Sequence, residues 1–270
     1  PSNPNACGSI IVTMMTTETR PKNACHARVT ARCYSGIVLR SSFSLARRLG
    51  HGSFVVRRGT ITSIFPQFPM NIRPYAAEFI GTFALALVVS LGVVGQPIYP
   101  VAYIAAVTVA IFVYAIGPIS GAHLNPAVTI GLLSVRRIGV ADAVYYLVAQ
   151  MLAAGAAMIV CSLLMGEAAS VVTVETTVRV ALAEAIGAFL LVWTISAVVE
   201  KKIHAAASGF AIGSSLLIGI LLAAAIGSNA VLNPAVAFAL STLNLAYLAG
   251  PIVGGIAGAW AYRAVSEKSA

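Results

Sequence analysis

The sequence predicts an all-α integral membrane protein, with six transmembrane helices and two re-entrant half-helices in an inverted repeat. Three observations carry this. Mean hydropathy is +0.91, with 59% of residues hydrophobic and 9% charged, whereas a soluble domain is about 25% charged. The long apolar stretches run to roughly 20 residues, the length a helix needs to cross a bilayer and about twice that of a barrel strand. The tripeptide Asn-Pro-Ala occurs twice, as Asn125-Pro126-Ala127 and Asn233-Pro234-Ala235.

Taken in order, the first element is not a span. Residues 1–69 hold nine Lys/Arg and one Glu, so most of the chain's net charge of +9 belongs to this segment. A basic protein with a nucleic-acid partner is therefore a poor reading. The segment is rich in Arg, Ser and Thr, has no long apolar run and begins with Pro. Met70-Asn71-Ile72-Arg73 resembles a natural start. Three readings stay open: upstream sequence joined by a misplaced start, a disordered basic tail, or an organellar transit peptide, which has the same Arg- and Ser-rich composition. The expected domains are this non-native or disordered extension, 1–69, and a membrane domain, 70–270.

Six spans follow, over Tyr75–Gly95, Tyr99–Gly117, Ala141–Leu164, Val178–Val199, Ala205–Ile226 and Leu245–Val265. Each Asn-Pro-Ala copy opens a shorter apolar run, Val128–Leu133 or Val236–Leu240. Asn is a preferred N-cap, and Pro suits the first helical position because its missing N–H has no intrahelical partner there. Each copy thus predicts a helix start too short to span. Two ordinary Asn-capped turns would be the plainer explanation, but the copies occupy matching places in two halves. Polar backbone at membrane depth is tolerated only against protein or a wet cavity, which favours re-entrant loops around a midplane pore or binding site.

The halves, about 73–164 and 178–265, repeat. Ala77-Glu78-Phe79-Ile80-Gly81-Thr82-Phe83 matches Ala183-Glu184-Ala185-Ile186-Gly187-Ala188-Phe189. Three spans per half is an odd number, so the second copy inserts upside down. With the N-terminus inside, cytoplasmic loops carry Arg136, Arg137, Lys201, Lys202, Arg263 and Lys268, while external loops carry Arg179 beside Glu167 and Glu175. That obeys the positive-inside rule and makes both termini cytoplasmic.

Ionisable residues inside spans are candidates for function. Glu78 and Glu184 are equivalent in the repeat. They are expected to fold inward and accept hydrogen bonds from the re-entrant loops; the alternative is a glutamate reaching the interface. His123 either offers a ring nitrogen to the pore or ties its loop down. His204, after Lys201-Lys202, reads as solvated. The many span glycines read as sites of close helix packing. Cys7, Cys25, Cys33 and Cys161 form no closely spaced framework, so neither a functional disulfide nor a metal site is expected, and no cofactor is implied.

These residues resemble the major intrinsic protein family, the aquaporins and glycerol facilitators. The match runs through Ala76–Phe83, Ile119-Ser120-Gly121-Ala122-His123-Leu124-Asn125-Pro126-Ala127-Val128-Thr129, Glu184, Asn233-Pro234-Ala235 and Tyr247-Leu248-Ala249-Gly250-Pro251, and covers about 73–265. The resemblance implies one pore per subunit in a homotetramer, embedded in membrane lipid, passively conducting water or small neutral solutes. Each Asn oxygen would cap its own half-helix while its NH₂ points into the lumen. Two helix starts, each carrying about half a positive charge, would face each other and repel cations. Ala127 and Ala235 are small enough for the half-helices to abut.

The chain departs from the family at the constriction. Most members carry Arg after the second Asn-Pro-Ala; here it is Val236. Glycerol facilitators usually follow that Arg with Asp; here it is Ala237. The other filter positions align with Ala105, with Ile220 or Leu221, and with Ala230. The resulting filter is apolar and lacks bulky rings, leaving water as the first substrate and glycerol, urea or dissolved gas as further ones. Two rivals remain: an ion-coupled secondary transporter, which needs Glu78 or Glu184 on the substrate path, and a largely closed structural membrane protein. An enzyme is not expected, for the sequence has no nucleophile triad, phosphate-binding loop or paired carboxylates.

Overall fold

The computed structural model describes residues 11–15, 26–32, 38–44, 71–95, 100–166 and 175–266. Cys7, Cys25, Cys33, Met70, Tyr99, Glu167 and Lys268 lie outside the described residues. The chain divides into two compact units, Pro1–Asn71 and Ile72–Ala270.

The first unit contains β1 (Ile11–Met15), β2 (His26–Arg32) and β3 (Val38–Ser44), in one antiparallel sheet of order β1-β2-β3. Ile11 pairs with Arg32, and His26 with Ser44. The sequence reading expected no folded element here. Short runs such as Ile11-Val12-Thr13 and Val29-Thr30 are β-branched and suit strands, but they fall far below the length that reveals a span.

Among the described residues, the regular elements of the second unit are all helices. Its long helices are α1 (Arg73–Gly95), α2 (Val101–Ser120), α4 (Val140–Met165), α5 (Val178–Val199), α6 (Ala205–Ile226) and α8 (Leu245–Ser266). All six are long and apolar enough to cross a membrane. The short ones are α3 (Pro126–Ser134) and α7 (Pro234–Ala239). The expected spans are recovered to within three residues at each described boundary, and the second differs most. Pro118 does not stop α2, which continues to Ser120 and ends at Gly121, φ 87°, whose N–H reaches the Gly117 carbonyl. Positive φ is accessible to glycine without a Cβ penalty.

Because the long helices alternate in direction, the loop after α2 and the loop after α6 enter from opposite faces. The Arg137–Glu200 ion pair joins the α3–α4 and α5–α6 connections on one face. His204 caps α6 by accepting the Ala206 N–H at Nδ1, 3.2 Å, a role composition could not suggest.

Glycines allow the helices to approach. On α8, Gly250, Gly254 and Gly258 recur every fourth residue and so share one face. They press on the Ala181, Ala185 and Phe189 carbonyls of α5. A Cβ on Gly250 would lie 2.6 Å from the Ala181 oxygen, inside van der Waals contact. Gly81 and Gly187, equivalent in the repeat, receive the side chains of Leu124 and Leu232 from the two re-entrant loops. Cys161 is buried on α4.

Candidate functional site: two half-helices meeting in one cavity

The site is built from the two short helices. Asn125 is the N-cap of α3, with extended backbone, and its Oδ1 accepts the Ala127 N–H at 2.8 Å. Asn233 does the same for α7, accepting from Ala235 at 3.0 Å and Val236 at 3.4 Å. Pro126 and Pro234 occupy the first turns. Ala127 and Ala235 are fully buried.

The amide nitrogens depart from expectation. Asn125 Nδ2 donates to the Leu232 carbonyl and Asn233 Nδ2 to the Leu124 carbonyl, each at 2.9 Å. Each Asn therefore caps its own half-helix and ties itself to the loop of the other. An amide nitrogen carries two hydrogens, so one remains on each for the lumen rather than two.

The loops that deliver these helices are held from behind by the glutamates. Glu78 is fully buried. Its Oε1 accepts from Ser120 Oγ at 2.7 Å and the His123 N–H at 2.8 Å. Its Oε2 accepts from the Leu124 N–H at 2.7 Å and Gln150 Nε2 at 2.9 Å. Glu184, also fully buried, accepts from Ser228 Oγ, from the Val231 N–H at 3.0 Å and from the Leu232 N–H at 2.6 Å. Ser120 and Ser228 also accept the N–H groups of Ala122 and Ala230.

This arrangement orients the backbone. A trans peptide aims its C=O opposite to the next residue's N–H. With the N–H groups of 122–124 and 230–232 turned toward Ser and Glu, the carbonyls of 121–123 and 229–231 face the other way, toward the lumen. Holding them so requires left-handed backbone at Ala122, Leu124, Ala230 and Leu232, φ 50–56°. Non-glycine residues adopt that region uncommonly, and such strain persists only where surrounding bonds over-determine it.

The cavity along this axis has a volume of about 140 Å³, against the ~10–15 Å³ that admits one water. Its wall includes Ala105, Ile220, Ala230 and Val236, together with His123, Asn125 and Asn233. Of the two α6 candidates, Ile220 lines the cavity, while Leu221 is 56% exposed on the outside of the helix. Adjacent helical residues point about 100° apart, so only one can face the axis. His123 lines the cavity, and its Nδ1 lies 3.1 Å from Thr129 Oγ1.

Sequence reasoning assigned no role to Ser120, Thr129 and Tyr247, and did not single out Ser228 or Gln150. The serines were detectable, since each lies five residues before its Asn. Gln150 and Pro251 occupy equivalent places four residues after Tyr146 and Tyr247, so only Glu78 gains a glutamine donor. Tyr247 instead accepts the Asn229 N–H at 3.0 Å.

Six spans around two half-helices that meet N-terminus to N-terminus define a membrane channel. The chain matches the family model described as major intrinsic protein over residues 66–262, and it belongs to that family. Channels are not an enzyme class. The chain is 32% identical to Aquaporin NIP1-1 of Oryza sativa subsp. japonica, covering 72% of this chain and 74% of that protein. It is likewise 32% identical to Nodulin-26 of Glycine max, covering 72% and 78%. Among solved structures, the aquaglyceroporin from Plasmodium falciparum shares the fold, with a TM-score of 0.55 and 21% identity over 71% of this chain and 93% of that one.

Proposed function

We propose that the protein is a passive channel for water and other small uncharged solutes, excluding charge at Asn125 and Asn233. The carrying observation is the reciprocal lock of the two asparagines, which holds two helix N-termini against one cavity. Each N-terminus presents partial positive charge. A cation at the midplane meets both, while a neutral solute meets amide donors and loop carbonyls. Ala105, Ile220, Ala230 and Val236 form the filter, apolar and without the guanidinium usual in the family. The name of the relative Aquaporin NIP1-1 supports water as a permeant.

The protein acts in this reading as a homotetramer in a cell membrane, with both termini cytoplasmic as the loop charges direct; an organellar membrane is the alternative if 1–69 is a transit peptide. The ion-coupled transporter is disfavoured by the glutamates: both are fully buried, engaged by loop donors and absent from the cavity wall.

Reconstitution of the full chain in vesicles tests this. Stopped-flow shrinkage against sucrose should exceed that of empty vesicles, and glycerol or urea entry should be non-saturable and indifferent to proton or sodium gradients. Saturable, ion-dependent uptake would instead identify a transporter. No permeability from well-folded protein would identify a closed structural role.

A further inference from the structure

On the α7 side of the Asn125–Asn233 centre, one of the described residues lining the cavity has a polar side chain, Asn229. His123 belongs to the loop that enters from the opposite face. Around Asn229 stand Ala105, Ile220, Ala230, Val231 and Val236. The backbone here supplies acceptors: the carbonyls of Asn229, Ala230 and Val231 face the lumen because the following N–H groups are bound to Ser228 and Glu184. Such a wall can receive a solute's N–H or O–H but returns no donor, and Val236 adds none.

Asn229 supplies what is missing. A carboxamide offers two N–H donors. Asn229 lines the cavity and is exposed, and its side chain has no hydrogen-bond partner among the described residues, while its backbone N–H is anchored on the Tyr247 hydroxyl. In the repeat, Ser120-Gly121-Ala122-His123-Leu124-Asn125 is superposable in sequence on Ser228-Asn229-Ala230-Val231-Leu232-Asn233, and glycine takes the equivalent place.

Resting on the passive-channel reading, we infer that Asn229 is the specificity-determining donor of this filter, favouring small neutral solutes that carry a strong acceptor, small amides above all. Urea fits the pattern: its carbonyl accepts from the Asn229 amide, and its N–H groups donate to the backbone carbonyls of 229–231. Because the carboxamide is neutral, it contributes no repulsion of cations, and charge exclusion is left to the half-helices.

The test is stopped-flow urea and water permeability of vesicles holding the full chain, as wild type, Asn229→Gly and Asn229→Asp. The glycine variant removes the carboxamide. The aspartate variant keeps the size but donates nothing when ionised. Both should lower the ratio of urea to water permeability about two- to tenfold, the worth of one neutral hydrogen bond. If one variant fails to assemble, the other decides. An unchanged ratio in an assembled variant overturns the assignment, as does an equal rise of both permeabilities, which would make Asn229 a steric plug. A wild type that conducts neither water nor urea refutes the channel reading itself, a failure distinct from that of Asn229.

Discussion

Replacing Glu78 separates a structural glutamate from a transporting one. Glu78→Leu removes the acceptor for four donors: Ser120 Oγ, the N–H groups of His123 and Leu124, and Gln150 Nε2. Two of these have other recourse. The serine hydroxyl can rotate, and Gln150 keeps Thr129 Oγ1 at 3.0 Å. The two backbone N–H groups do not, because the left-handed residues Ala122 and Leu124 hold them toward α1. A buried unsatisfied donor costs about 1–3 kcal/mol, so the loss is about 2–6 kcal/mol. At about 2–4 °C per kcal/mol for a domain of this size, Tm should fall by about 4–24 °C. Glu78→Gln keeps one accepting oxygen and should lose about half as much. The assay is a thermal melt of detergent-purified protein followed by the monodisperse fraction, with water permeability measured in parallel. A Glu78→Leu protein that melts within about 2 °C of wild type and conducts normally would refute the reasoning and leave the glutamate as an interfacial residue.

Other substitutions probe the axis. Asn125→Asp or Asn233→Asp sets a carboxylate at the positive end of a half-helix and removes the donor to the opposite loop. Cation leak should rise in the assembled protein, and unchanged proton and sodium flux would remove these residues from charge exclusion. Val236→Arg should narrow the filter, so the ratio of glycerol to water permeability should fall; an unchanged ratio in folded protein means that Val236 does not shape the constriction. Gly254→Val directs a branched side chain into the Ala185 backbone of α5, and yield of assembled protein should collapse, whereas wild-type yield would show that α5 and α8 can separate at little cost. Deleting residues 1–69 should leave permeability intact, since the described residues that line the cavity run from Leu85 to Leu240; loss of insertion or conduction would show otherwise.

The sequence by itself determined the class of fold, because hydropathy and length are local properties. The boundaries of α5 and α6 are readable residue for residue from the apolar runs, and the half-helices from Asn-Pro alone. The inverted repeat was equally legible, since matched sequence around Glu78 and Glu184 requires only comparison of one half with the other. The β1–β3 sheet was not, because strands of five to seven residues carry too little periodicity to stand out in a basic, Ser-rich segment.

What the tertiary structure alone decided concerns direction. Spacing could not choose between Ile220 and Leu221, because that depends on the rotation of α6 about its own axis, set by where Gly209 and Gly213 let it meet α2. Nor could it show that each asparagine amide is spent on the other half's loop, a bond between residues more than a hundred positions apart. The roles of Gln150, Tyr247 and Asn229 arose in the same way. Each acquires its meaning from a neighbour that only folding brings near: a carboxylate, a loop N–H, or the apolar stretch of cavity wall on the α7 side.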